Sequence, residues 1–280
     1  MREQDYLPLI DRALAEDLGD LGDVTSEPLD DFAAEARLIA KAPGVLAGSE
    51  VFAAVFRRID PTVAVRFRKH DGQILSPPEV AAEVTGSVKS ILKGERTALN
   101  LLSYLSGIAS ETRRYVDAAG QRLAVLDTRK ILPGFRALAK EAVRIGGGRN
   151  HRLGLHDMVL IKDNHVDSAG SVTRAVERIR SRWGTRFTVE VECRTLAEVA
   201  EALTAGADIV MLDNMDTSRI REAAALVAGR VKIEASGNMT IDRVRELRDT
   251  GVDFVSVGRL THSVVALDFS LKIQPRGAGS

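Results

Sequence analysis

The chain carries a single cysteine, Cys193, among 280 residues, and aromatic residues make up only 4% of it. One thiol excludes a disulfide framework and any zinc site built from several thiolates. Sparse aromatics leave few platforms on which nucleic-acid bases could stack. Net charge is missing too, because 39 Lys and Arg balance 39 Asp and Glu. A neutral chain has no global field to draw it to nucleic acid or to a membrane surface, and neither is expected as a partner. No stretch approaches the roughly 20 apolar residues of a membrane span. The N-terminal MREQDYLPLIDRALAEDLGD is charged throughout and lacks the apolar core of a signal peptide. These absences predict a protein of the reducing cytoplasm. The tail Gln274–Ser280 (QPRGAGS) has no periodicity and is expected to be mobile.

What is present is repetition. The helical pattern SVTRAVERIRSRW precedes FTVEV, TLAEVAEALTAGAD precedes IVML, TSRIREAAALVAGR precedes VKIEA, and TIDRVRELRDTGVD precedes FVSV. Apolar residues recur at three- and four-residue spacing in the helices, and the strands are short runs rich in Val and Ile. The punctuation Gly-x-Asp stands before two of the strands, at Gly206–Asp208 and Gly251–Asp253, where glycine is expected to cap the helix. Such alternation predicts a parallel sheet with both faces covered. With LAVLD and MVLI, six strands are readable after residue 122, short of the eight of a complete barrel.

The first hundred residues mix strands and helices without that regularity. A boundary is expected near residue 107, giving an N-terminal α/β domain over 1–107 and an α/β barrel over 108–264. The segment 265–280, with ALDFSLKI at its start, is expected to return to the first domain.

In a parallel β/α barrel, functional groups collect where the strands end. Here those endings are Asp127-Thr128-Arg129-Lys130, Lys162-Asp163-Asn164-His165, Glu190 with Glu192, Asp213, Ser236-Gly237-Asn238 and Gly258. From Arg129 to Lys162 there are eight Arg or Lys against two acids, Glu141 and Asp157. A positive surplus in a neutral protein points to a small polyanion, since guanidinium forks match carboxylates and phosphates. Lys162, read as buried, demands a partner or a purpose. Blander readings apply to several neighbours. Arg136, Lys140, Arg144 and Arg149 read as a solvated helix face, and Gly146–Gly148 as a flexible turn. His70 reads as structural or exposed, Cys193 as a small buried hydrophobe, and Glu190 as filler of a barrel layer.

The stretch DTRKILPGFRALAKEAVRIGGGRNHRLGLHDMVLIKDNH resembles the central signature of the quinolinate phosphoribosyltransferase family. EDLGDLGDVTSEPL, GERTALNLLSYLSGIA, VEVECRTLAEVAEAL, GADIVMLDNM, IEASGNM and FVSVGRLTHSVVALDFSL follow the family's order around it. Ile131 departs from the family's usual threonine, and LSPP at 75–78 from its usual glycine turn. The resemblance implies an N-terminal α/β sandwich and an open seven-stranded α/β barrel. It also implies transfer of phosphoribosyl from 5-phosphoribosyl 1-pyrophosphate to quinolinate with decarboxylation, assisted by Mg²⁺.

By the same resemblance, Thr128, Arg129, Lys130, His151, Arg152 and Lys162 hold quinolinate, joined by Arg96 from the partner of a homodimer. Glu192 and Asp213 serve the ribose and the metal, through substrate or water. Ser236, Gly237, Asn238 and Gly258 cradle phosphate, with His262 close by; Lys130 and Lys162 also reach this substrate. Lys130, Lys162, Glu192 and Asp213 form the catalytic set. Three alternatives stay open at this point: a related transferase with a different acceptor, a barrel aldolase using Lys162 as Schiff-base nucleophile, and a non-catalytic nucleotide-binding protein.

Overall fold

The computed structural model describes residues 2–274; residues 275–280 of the expected mobile tail lie outside the described residues. Two compact units result. One runs through Arg113, takes in Ile131–Gly147 and resumes at Ser263, while the other comprises Arg114–Lys130 and Gly148–His262. The division therefore falls inside the helix Val88–Ala119. The segment 131–147, placed in the barrel by the sequence reading, groups with the first unit. Gly146 shows why that grouping is tight: a Cβ there would lie 2.5 Å from the carbonyl oxygen of Ala109 and 2.7 Å from Thr112. The glycine run read as a flexible turn thus includes a close backbone approach.

The first unit is built on an antiparallel sheet. Its strands are β1 (Ala33–Ala40), β3 (Ala64–Phe67), β5 (Glu79–Ser87) and the C-terminal strand Phe269–Ile273. A separate short pair joins β2 (Gly44–Val45) to β4 (Ile74–Leu75). The sheet order is Phe269–Ile273, β1, β5, β3. In β1 the alternate residues Ala36, Leu38 and Ala40 are buried, the period-two signature of a half-covered strand. The helix Ser49–Ile59 buries Val51, Phe52, Val55 and Phe56. Phe52 meets Phe67 of β3 edge to face at 5.6 Å. Each fully buried aromatic contributes about 1.5–3 kcal/mol by removal from water.

The second unit contains the six expected strands: β6 (Ala124–Leu126), β7 (Val159–Ile161), β8 (Val189–Cys193), β9 (Ile209–Asp213), β10 (Lys232–Ser236) and β11 (Phe254–Ser256). All pairings are parallel, in the order β6-β11-β10-β9-β8-β7. The first strand in the chain lies beside the last, so the sheet curls as a barrel does. Among the described residues the expected seventh strand is reduced to one parallel bridge, Leu126 to Arg149, on the far edge of β6.

Helices of this unit begin on side chains chosen for the task. Ser171, Thr195, Asp216 and Thr240 each accept the backbone N–H three residues on, from Arg174, Glu198, Arg219 and Arg243. Each cap contributes on the order of 1 kcal/mol. Gly206 caps its helix in the left-handed conformation as expected, but Gly251 does not, because the preceding helix ends at Leu247 and a turn intervenes. The aspartates of the two Gly-x-Asp signatures tie neighbouring strands together. Asp208 accepts the N–H of Val189 at 2.7 Å, and Asp253 that of Ile233 at 3.0 Å. No helix among the described residues is long and apolar enough to cross a membrane.

Candidate active site

Strand alternation sends every second residue of β8, β9 and β10 to the inside of the sheet. Glu192, Met211, Asp213, Glu234 and Ser236 line a cavity of about 700 Å³, whereas Val189, Val191 and Cys193 are buried on the opposite face. Burial pushes the Cys193 thiol up to about 12, which fits the inert role read from the sequence.

Every residue assigned to the site from the sequence lines this cavity except Arg96. Thr128, Arg129 and Lys130 follow β6, Lys162 follows β7, and His151 and Arg152 lie on the irregular stretch before it. Ser236, Gly237 and Asn238 continue β10, while Gly258 and His262 follow β11. Arg96 is exposed on the helix Val88–Ala119 and is not among the lining residues.

The cationic wall has an unusual feature. Arg129 Nε is buried without a hydrogen-bond partner among the described residues. Burial, and then the charge of Arg129, pull the Arg152 pKa below its ordinary value, and both residues line the same cavity. Like charges so placed repel until an anion enters. Lys162 corrects one expectation: its side chain is 48% exposed, with Nζ 3.5 Å from Glu192 Oε2. Burial raises the Glu192 pKa, opposed by Lys162 and reinforced by Asp213. The other cations of the stretch lie off the cavity lining. Lys140 is 4% exposed rather than solvated, on a helix that also buries Leu138, Ala139, Ala142 and Val143 while leaving Arg136 and Arg144 exposed. His165 caps its own helix by accepting the N–H of Lys162 at 2.9 Å.

The turn after β10 is sterically fixed. Gly237 has φ +96°, and a Cβ there would fall 2.1 Å from Asn214 Oδ1. Asn214 and Asn238 are also left-handed, at φ 53° and 44°. Asn214 in turn donates from Nδ2 to Asp213 Oδ2 at 2.9 Å. The sequence reading missed Asn214, although its place directly after Asp213 in LDNM was a signal.

It also missed Glu234. Glu190 and Glu234 are 0% and 1% exposed and face one atom, His151 Nε2, at 2.9 and 3.4 Å. Burial is the largest influence on His151 and disfavours its charged form. Hydrogen bonds to the two carboxylates oppose it and raise the pKa, but the charged form needs a proton on Nδ1 as well as on Nε2. The backbone N–H of Arg152 lies 2.7 Å from Nδ1, which favours a lone pair there. A proton added to Nδ1 therefore costs that hydrogen bond. Burial, with Glu234 nearby, pushes Glu190 up to about 7, so the buried group holds a proton among its members near neutrality. These three residues have the composition of a metal set. The direct Nε2 to Oε2 hydrogen bond accounts for their grouping without an ion.

Comparisons with known proteins agree with this site. The family model described as quinolinate phosphoribosyl transferase, C-terminal domain, matches residues 108–272, and its N-terminal counterpart matches residues 23–106. The probable nicotinate-nucleotide pyrophosphorylase (carboxylating) of Bacillus subtilis (strain 168) is 40% identical, over 95% of this chain and 92% of the relative. The chloroplastic nicotinate-nucleotide pyrophosphorylase (carboxylating) of Oryza sativa subsp. japonica is 43% identical, over 96% of this chain and 78% of the relative. The crystal structure of NadC from Streptococcus pyogenes superposes with a TM-score of 0.95 at 42% identity, covering 98% of each chain. The chain belongs to the quinolinate phosphoribosyltransferase family, the decarboxylating pentosyltransferases with an α/β N-terminal domain and a barrel-type catalytic domain.

Proposed function

We propose that the chain transfers the phosphoribosyl group of 5-phosphoribosyl 1-pyrophosphate to quinolinate, releasing CO₂ and pyrophosphate and giving nicotinate mononucleotide, a step of NAD biosynthesis. The observation that carries this reading is the neighbouring pair Arg129 and Arg152, cations in a cavity wall with no carboxylate at salt-bridge distance among the described residues. Quinolinate has two adjacent carboxylates to offer them. A close pair contributes about 4 kcal/mol of attraction at an effective dielectric of 20, before desolvation is subtracted.

Chemistry then follows from charge. The pyridine nitrogen donates its lone pair to the anomeric carbon as the bond to pyrophosphate breaks, through an oxocarbenium-like transition state. Glu192 and Asp213 supply negative charge on that side. The ring becomes a cation and accepts the electron pair left when the carboxylate beside the nitrogen departs as CO₂; the ring carbon then takes a proton. Thr128, Lys130 and His151 complete the acceptor pocket, and Lys162 stands between the substrates. Ser236, Gly237, Asn238 and Gly258 hold the 5-phosphate, with His262 beside them. Two carboxylates on adjacent strands suit a hard divalent cation, and Glu192 and Asp213 would hold Mg²⁺ through substrate or water, where it would neutralise pyrophosphate charge.

The same proposal includes a homodimer in which Arg96 reaches the acceptor in the second copy's site, and a cytoplasmic setting, supported by a lone buried thiol. Schiff-base chemistry at Lys162 draws no support from a half-exposed amine paired with a carboxylate.

Incubation with quinolinate, 5-phosphoribosyl 1-pyrophosphate and Mg²⁺ is expected to yield nicotinate mononucleotide and CO₂, with little product when nicotinate replaces quinolinate. Efficient use of nicotinate would favour the different-acceptor reading. Gly237→Ala is expected to cost about 1–3 kcal/mol where the left-handed turn meets Asn214. Steady-state kinetics should then show the larger rise in KM for 5-phosphoribosyl 1-pyrophosphate, not quinolinate.

A further inference from the structure

Two glutamates on the inner face of the sheet have no part in the chemistry above. Glu190 precedes Glu192 by one alternation on β8, and Glu234 precedes Ser236 by one on β10. Met211 of β9 pairs in register with both Glu192 and Glu234, so an apolar side chain is accommodated in the same layer. Burying two carboxylates is unfavourable unless their partners justify it. Each here has one oxygen directed at His151 Nε2 and a second, Oε1, without a partner among the described residues.

From His151 the contact continues to the acceptor wall. Its Nδ1 accepts the N–H of Arg152 at 2.7 Å, and its own N–H donates to Asp127 Oδ1 at 2.9 Å. The Asn150 side chain donates to the same aspartate at 2.7 Å. Residues 150–158 belong to no helix or strand, so these bonds before Arg152, with those from the Leu153 and Gly154 N–H groups to Asp157 after it, fix where Arg152 starts.

We propose that Glu190 and Glu234 are positioning residues for the acceptor: they lock the His151 ring and, through it, the backbone of Arg152, so that its guanidinium stands beside Arg129 before the dicarboxylate arrives. The proposal rests on the assignment of Arg152 to the acceptor's carboxylates. A ring held from both nitrogens cannot rotate without breaking a bond on each side, and this pre-orders an arginine whose guanidinium otherwise has one long hydrogen bond, 3.5 Å to the Met158 carbonyl.

The test is a set of substitutions of similar size that remove the acceptor, Glu190→Met, Glu234→Met and the pair, each made alone and in a His151→Ala background. In the wild-type background the KM for quinolinate should rise on the order of 10- to 100-fold, the loss expected of a misplaced binding group. The KM for 5-phosphoribosyl 1-pyrophosphate should move by less than about twofold, and the thermal midpoint should not fall, since a buried charge is removed without loss of shape. In the His151→Ala background the same changes should add less than about twofold, because the connection is already cut. Equal rises for both substrates, or an undiminished effect without His151, would overturn the proposal. Each single variant carries the test if the pair does not fold. Arg152→Ala separates the two levels of argument. If it spares quinolinate, the Arg152 assignment fails; if it does not spare quinolinate but the methionine variants do, only the positioning role fails.

Discussion

Arg152→Ala is expected to bring turnover close to background and to weaken quinolinate far more than 5-phosphoribosyl 1-pyrophosphate. The argument starts from desolvation. Arg152 is drawn below its ordinary pKa by burial and by Arg129, so its charge is tolerated in the empty cavity only at some cost. In the proposed arrangement that cost is recovered when a carboxylate of the acceptor binds both guanidiniums. Truncation leaves the substrate's carboxylate in the same cavity without its fork, and the loss of one partner from a buried charge pair is about 2–5 kcal/mol, roughly 30-fold to several thousand-fold. The other substrate lies with Glu192, Asp213 and the turn at Gly237 in the proposed arrangement, so its binding should change little. Steady-state kinetics with each substrate varied in turn reads the split directly. A loss shared equally between the substrates would contradict the assignment.

Why Arg129 is legible in the sequence, and Glu234 is less so, comes down to how each is encoded; Arg152, off the strand ends, enters only through the family resemblance. The strands of the second unit are short Val- and Ile-rich runs, and their ends are marked by charge, so Arg129, Lys130, Lys162, Glu192 and Asp213 are visible as a ring in the sequence alone. Glu234 lies inside VKIEA, where a single acid looks like an interruption. Its direction is nevertheless fixed by Ser236 two residues later, since alternate residues share a face, and that signal was available. Lys140 is a different case. Its burial depends on what the rest of the fold lays over its helix, which periodicity within ten residues cannot reveal. The same limit explains the seventh strand, which here is a single bridge at Arg149. One backbone pairing in a glycine-rich bend leaves no strand-length pattern of β-branched residues to read.

Arg96 lies outside the strand-end pattern that marks the other site residues. It is an exposed residue on a long helix, absent from the cavity lining of its own chain. On composition alone it is one more solvated charge. If it completes the acceptor pocket of a second copy, Arg96→Ala and Lys162→Ala should each nearly abolish activity as homodimers, for different reasons. The first leaves each site short of the partner's arginine, and the second removes the lysine beside Glu192. In a mixed dimer the two defects separate: one site retains Lys162 and receives an intact Arg96, while the other carries both losses. Random reassortment of equal amounts makes about half the dimers mixed, so roughly a quarter of all sites should be complete in a symmetric two-fold assembly. Co-expression with two affinity tags allows the mixed species to be isolated and assayed beside each parent. Isolated mixed dimers that turn over no faster than the parents would mean that each chain builds its site alone, and the exposed arginine would return to being a surface charge.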